Sequence, residues 1–170
     1  GNFAPTNQTF STSGEAVNIF GNLTINGDFS IDSGGGAISV TGNISGTSAS
    51  DTLTLTDGSG NSTITIGGNI GAASGSTSNI KSVTLTGDSG VSLGGDITTA
   101  DAAGGAISIT GPVTLTADVA IDADANNTSV TFASTSTVNA TSAGGQGLTI
   151  DTGAGNISMG GAIGGTTSLK

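Results

Sequence analysis

The stretch GGAISITGPVTLTADVAIDAD, residues 104–124, has a beat of six: Ile107, Val113 and Val119 each open an apolar pair completed two residues later by Ile109, Leu115 and Ile121. On an extended chain such a pair shares one face, and the residue between them takes the other. Only three residues separate one triad from the next, and a corner such as Thr110-Gly111-Pro112 needs little more than one residue in an unusual backbone conformation. The same beat runs from Val17 through Leu23 to Phe29, with the corner Phe20-Gly21-Asn22 between the first two. Each six-residue unit therefore reads as one side of a coil plus its corner. Three sides make a coil of about 18 residues, near the repeat of a parallel β-helix.

Strand signals of this kind recur along the chain: VNI 17–19, LTI 23–25, FSI 29–31, LTL 53–55, ITI 64–66, VTL 83–85, VSL 91–93, VTF 130–132, LTI 148–150 and ISM 157–159 join the three triads above. Helix signals are absent, because Gly, Thr, Ser and Asn occupy the positions an amphipathic helix would need. The triads are also too short and too closely spaced for an ordinary sandwich.

Longer self-similarity points the same way. GGAISVTGNIS at 35–45 matches GGAISITGPVT at 104–114, LTLTDGSGNSTITIGGNIG at 53–71 is echoed by LTIDTGAGNISMGGAIG at 148–164, and VSLGGDI at 91–97 repeats the Gly-Gly-x-Ile element. Such repetition marks a solenoid, whose coils bury their apolar faces only by stacking. The fold expected is all-β, a parallel β-helix of roughly seven coils and about 35 Å in length. GAASGSTSN 71–79 and ADAAGG 100–105 read as loops thrown outward.

Composition fits a folded chain of this kind. Leu, Ile, Val and Phe make up 37 of 170 residues, charged residues 8%, and mean hydropathy is +0.18, which with the ordered alternation argues against disorder. A narrow interior admits compact side chains, and aromatics are few: five Phe, no Tyr, no Trp. Phe3, Phe10, Phe20 and Phe29 lie together near the start, so residues 1–34 read as N-terminal coils or a partial cap, continuous with a repeat segment at 35–170.

Charge and residue types narrow the function. Two Lys against twelve acidic residues give a net charge of −10, a surface that phosphates repel, so nucleic acid and anionic membranes are not expected partners. No apolar run reaches the roughly 20 residues of a membrane span. The absence of Cys leaves the redox compartment open, and GNFAPTNQTF lacks both an initiating Met and a signal peptide, so the chain reads as a mature product or an excised segment. Ser168-Leu169-Lys170 follows its Gly-Gly-x-Ile element much as Asn79-Ile80-Lys81 does, and Lys81 leads into SVTLTG. By that analogy a further coil follows Lys170, either in a longer array or from another copy docking end to end.

Catalysis is not expected. There is no His, Cys, Tyr or Arg to serve as base or transition-metal ligand, and Lys81, the one internal lysine available to activate a hydroxyl, reads as a surface lysine. Carboxylate pairs of the sugar-cleaving kind remain: Asp122 and Asp124 share a face at i and i+2, with Asp118 nearby. Asp122-Ala123-Asp124-Ala125-Asn126 also imitates the start of a calcium loop, but Asn127 stands where that loop needs Gly and Ala133 where it needs its last acid. No catalytic, cofactor or metal site is assigned. Eight Asn-x-Ser/Thr sequons, at Asn7, Asn22, Asn43, Asn61, Asn126, Asn127, Asn139 and Asn156, follow from turn-then-strand grammar and permit glycosylation without arguing for it.

Taken with the SVTLTG element, the GGAISITGPVTLTADVAID and LTIDTGAGNISMGGAIGGT stretches resemble the repeat regions of filamentous haemagglutinin-like bacterial surface proteins, exported by two-partner and related secretion. The resemblance covers roughly residues 35–170. It implies a right-handed parallel β-helix, an extracellular or cell-surface location, and a non-catalytic role as stalk or adhesive filament with a host or matrix ligand as partner. The alternative is an ice-binding solenoid, because Thr52-Thr54-Thr56, Thr84-Thr86 and Thr114-Thr116 would form a hydroxyl ladder if aligned, although ISI, VSL, VAI and ISM interrupt the pattern. A carbohydrate-active β-helix is the third reading.

Overall fold

A computed structural model describes residues 3–72 and 78–170. The chain winds as an all-β solenoid of parallel strands, one coil stacked on the next. Level by level, the strands are β1 (Thr6–Ser11) and β2 (Val17–Ile19); β3 (Leu23–Asp32) and β4 (Ile38–Val40); β5 (Ile44–Gly46), β6 (Asp51–Thr56) and β7 (Ile64–Ile66). The next levels hold β8 (Ile80–Thr86) and β9 (Val91–Leu93); β10 (Ile97–Thr98), β11 (Ala106–Thr110) and β12 (Val113–Leu115). The last two hold β13 (Val119–Asp122), β14 (Ser129–Phe132) and β15 (Val138–Ala140), then β16 (Leu148–Asp151) and β17 (Ile157–Met159).

Three parallel sheets form the sides. The first stacks β1-β3-β6-β8-β11-β14-β17, and the second stacks β2-β4-β7-β9-β12-β15 and continues through the bridge of Val138 to Ile163. The third begins at the bridge of Phe3 to Leu23, passes through the first half of β3, β5 and Ile70, and ends in β10-β13-β16. Seven strands on the first side make six full turns, close to the expected number of coils. The six-residue beat is one side plus one corner: Ile107, Val113 and Val119 lie on the first, second and third sides in turn.

Alternation builds the core. Column by column, the inward residues are Leu23, Ile44, Ile70, Ile97, Ile121 and Ile150 on the third side; Ile31, Leu55, Leu85, Ile109, Phe132 and Met159 on the first; and Val17, Ile38, Ile64, Val91, Val113 and Val138 on the second. Between the two end levels these side chains are buried, each fully buried aliphatic contributing about 1.5–3 kcal/mol. Like side chains stack on like, so every level meets a surface of its own shape.

Two expectations require correction. Coils are longer than 18 residues: Phe10 pairs with Ile31, 21 positions on, and Leu55 with Leu85, 30 positions on. The extra length lies in the corners around the first side, where turns such as those near Gly58 and Gly104 replace the three-residue corner. The matched repeats are also not whole turns. Ile38–Val40 of GGAISV lies on the second side, whereas Ile107–Ile109 of GGAISI lies on the first, and Leu53 and Leu148 of the other pair lie on the first and third. What repeats is a side-and-corner unit, used on whichever side the count reaches. The ADAAGG stretch leaves the core at Ala100, which is buried with its N–H on the Ile80 carbonyl at 2.7 Å, and turns out to solvent through Asp101, Ala103 and Gly104. Of GAASGSTSN, residues 73–77 lie outside the described residues.

Candidate functional surfaces

One corner, between the second and third sides, carries a ladder that the sequence reading missed. The Asn22 Oδ1 accepts the N–H of Asn43, Asn43 Oδ1 accepts that of Asn69, and Asn69 Oδ1 accepts that of Asp96, each at 2.9 Å. Asp96 Oδ1 continues to Ala120 N–H at 2.9 Å, and Asp118 Oδ1 takes Gly147 N–H at 2.8 Å. The glycine before each rung is required by close approach: a Cβ at Gly42, Gly68 or Gly95 would stand about 2.4–2.5 Å from the amide oxygen of the rung beneath. The Gly-Asn and Gly-Asp pairs at 42–43, 68–69 and 95–96 were the available signal. They also account for two sequons, Asn22 and Asn43, as rungs; Asn7, Asn127 and Asn139 likewise spend their side-chain oxygens on backbone N–H groups of the next coil.

Hydroxyls gather on the outer face of the first side. In register from level to level run Thr9, Ser30, Thr54, Thr84, Ser108, Thr131 and Ser158, an unbroken column. Beside it stand Thr56, Thr86 and Thr110, and on the other flank Thr52 and Ser82. Of the interrupting triads, Val91–Leu93 lies on the second side and Val119–Ile121 on the third, so neither breaks this face. Thr114, expected in the same ladder, lies on the second side instead.

Asp122 and Asp124 come together with Asp151 nearby, and Asn126 stands apart from them. Asp122 ends β13 in register with Asp151, and Asp124 follows in the corner. The Asp124 carboxyl is held above its ordinary range by its hydrogen bond to Asp122, by that residue's charge, by partial desolvation and by Asp151. The Asn126 amide turns away from both and donates to Asp101 Oδ1 of the coil beneath at 2.9 Å. Among the described residues no group of three or more His, Cys, Asp or Glu is placed to hold a metal ion. Asp118, the third acid considered, is held below its usual range chiefly by Lys170, 2.6 Å away, and then by Gly147 N–H. Lys81 lies half-buried beside the Gly104 turn.

Two carboxylates are structural. Asp51, 1% exposed, accepts Gly27 N–H at 2.8 Å on Oδ1, and Thr47 N–H at 2.7 Å and Ser48 N–H at 3.0 Å on Oδ2. Asp57, fully buried, accepts Asp88 N–H on Oδ1 at 2.8 Å, and the Ser62 hydroxyl is its side-chain neighbour. Burial pushes the Asp57 carboxyl above the ordinary range, with the Asp88 charge adding to it.

The ends differ from the sides. At the first level Phe3, Phe10 and Phe29 meet with ring centroids 5.5–6.4 Å apart, and with Val17, Ile19 and Phe20 they line an open groove of about 440 Å³. At the last level Ile157 and Ile163 are about half exposed, 49% and 52%. No helix among the described residues is long and apolar enough to cross a membrane. No family model, curated protein or solved structure matches the chain.

Proposed function

We propose that the chain is a rod-like, non-catalytic segment of an exported bacterial surface filament or adhesin, of the filamentous haemagglutinin-like kind that its repeats resemble. The observation that supports it is the unbroken stack of coils, whose core columns and corner ladder run through successive levels. Such a body has a length set by the number of its coils and a stiffness set by bonds between every pair of neighbours, the properties a stalk needs. Loops and corners would present a ligand surface to host or matrix, and the net charge of −10 would keep the sides soluble and off anionic partners. Immunogold labelling of cells that produce the protein, with an antibody to this segment, tests the reading. Label along fibres projecting from intact cells is expected; label that appears only after permeabilisation would overturn it.

A second reading, ice binding, is favoured by the hydroxyl column of the first side, which spaces Thr and Ser about 4.8 Å apart on a rigid sheet. Thermal hysteresis that is abolished by Thr84→Lys would support it. A freezing point equal to the melting point in the unaltered chain would remove it.

A further inference from the structure

We propose that Asn26-Gly27 is a latent self-modification site of the chain and that the buried carboxylate of Asp51 holds it unreacted. Asn26-Gly27 is the one Asn-Gly pair in the sequence. In such a pair the main-chain nitrogen of the glycine, unhindered by a side chain, can attack the asparagine amide. The Gly27 nitrogen loses its proton and bonds to Asn26 Cγ, and the Nδ2 group takes up a proton and leaves as ammonia. Water then opens the resulting succinimide at either carbonyl. The product is aspartate or isoaspartate, the latter with one extra carbon in the main chain.

The winding creates this pair and cannot dispense with its glycine. β3 passes from the third side, where Leu23–Ile25 pair with β5, to the first, where Asp28–Asp32 pair with β6, and the bend falls on Gly27 at φ +87°. A side chain there would be strained and its Cβ would overlap the Asn7 amide oxygen, which accepts the N–H of Asp28 at 2.9 Å. Asn26 is exposed, so water reaches its side chain. What remains to control the reaction is the Gly27 N–H, and it donates to Asp51 Oδ1 at 2.8 Å. Asp51 is 1% exposed and is itself held by the N–H groups of Thr47 and Ser48.

This bond acts in two ways. A proton shared with a carboxylate is harder to remove, since its loss would leave two negative charges side by side and out of water. The bond also holds the peptide plane against the rotation that attack on Cγ requires, with the Asn26 N–H fixed on the other side by the Pro5 carbonyl at 3.1 Å. An isoaspartate at 26 would move Asp28–Asp32 out of register with β6, so the bond protects the stack as well as the residue.

Peptide mapping by mass spectrometry, with detection of isoaspartate, after incubation at mildly alkaline pH tests the proposal. Conversion at Asn26 is expected to be slower in the folded chain than in the same chain in urea. Asp51→Ala is expected to raise it roughly tenfold to a hundredfold, the range spanned by a hydrogen bond to a charged group. Gly68→Ala, which disturbs a different corner and leaves the Asp51 bond in place, is expected to leave Asn26 unchanged. Asn61, exposed on another corner, is expected to convert at one rate in all three chains. Far-UV circular dichroism checks that each variant folds. Asp51→Asn, which keeps an acceptor without the charge, should fall between the unaltered chain and Asp51→Ala, and takes the place of Asp51→Ala if that variant does not fold. Conversion as fast in the folded chain as in urea, no faster without the Asp51 carboxylate, or raised equally by Gly68→Ala would overturn the proposal. Neither labelling of cells nor thermal hysteresis depends on this bond, so those readings and this one fail separately.

Discussion

The backbone N–H of Asn69 points at the side-chain oxygen of Asn43, 2.9 Å away in the coil beneath, and Gly68 leaves the space through which that oxygen reaches it. Asn43→Ala would leave the N–H without its partner, at about 1 kcal/mol. Gly68→Ala would drive a methyl into the amide and into the Gly42 backbone, and should cost more, about 2–3 kcal/mol. Urea unfolding of the two variants checks the order. Equal stability of the two would contradict the ladder.

Asp51 closes a corner between the third and first sides with three backbone N–H bonds. Asp51→Ala orphans Gly27, Thr47 and Ser48 together and is expected to destabilise by about 3 kcal/mol, whereas Asp51→Asn, which keeps an acceptor, should cost clearly less. Thermal unfolding of the pair measures the difference.

Asp57 gives the chain an inverse dependence on pH at one site. Its native carboxyl takes up a proton more readily than in the unfolded chain, so the stability it contributes is fully present below the ordinary value of 3.8 and is lost as pH rises through the raised native value. Asp57→Asn removes the buried charge and retains an acceptor for Asp88 N–H. It should stabilise the protein at pH 7, with the gain vanishing near pH 3. Unfolding midpoints at the two pH values test this; a variant less stable than the parent at pH 7 would contradict it.

The side-and-corner unit was legible in the sequence because alternation on a short strand leaves a local signature. Every triad read from the chain lies in a strand, and Val17, Leu23 and Phe29 do fall on successive sides. Two strands outside those triads, β4 (ISV) and β15 (VNA), carry the same buried alternation; the other missed strands carry little of it. β1, TNQTFS, lies on an end coil and is exposed throughout; β5 has one aliphatic residue, Ile44; β10 has two residues in all. The turn length was not legible, because corners of different size follow similar sides: eight residues separate Leu55 from Ile64, five separate Leu85 from Val91, and three separate Ile109 from Val113. The asparagine ladder escaped for the same reason: its rungs at 22, 43, 69 and 96 are unevenly spaced, and only the winding brings them into line. Sorting of Thr54, Thr84 and Ser108 onto one side, and of Thr114 onto another, is a property of the winding as well.

Stacked turns of fixed rise underlie every role proposed for the chain, and the absence of native Cys makes that rise directly measurable. Spin labels at Thr9→Cys paired in turn with Ser108→Cys, Thr131→Cys and Ser158→Cys sit on one register column, four, five and six levels apart. Pulsed electron–electron resonance should give separations of about 19, 24 and 29 Å between the labelled backbones, an even step of about 4.8 Å per level whatever the number of intervening residues. Distances that fail to grow in even steps, or that fall as the chain folds back on itself, would contradict the stacked coil.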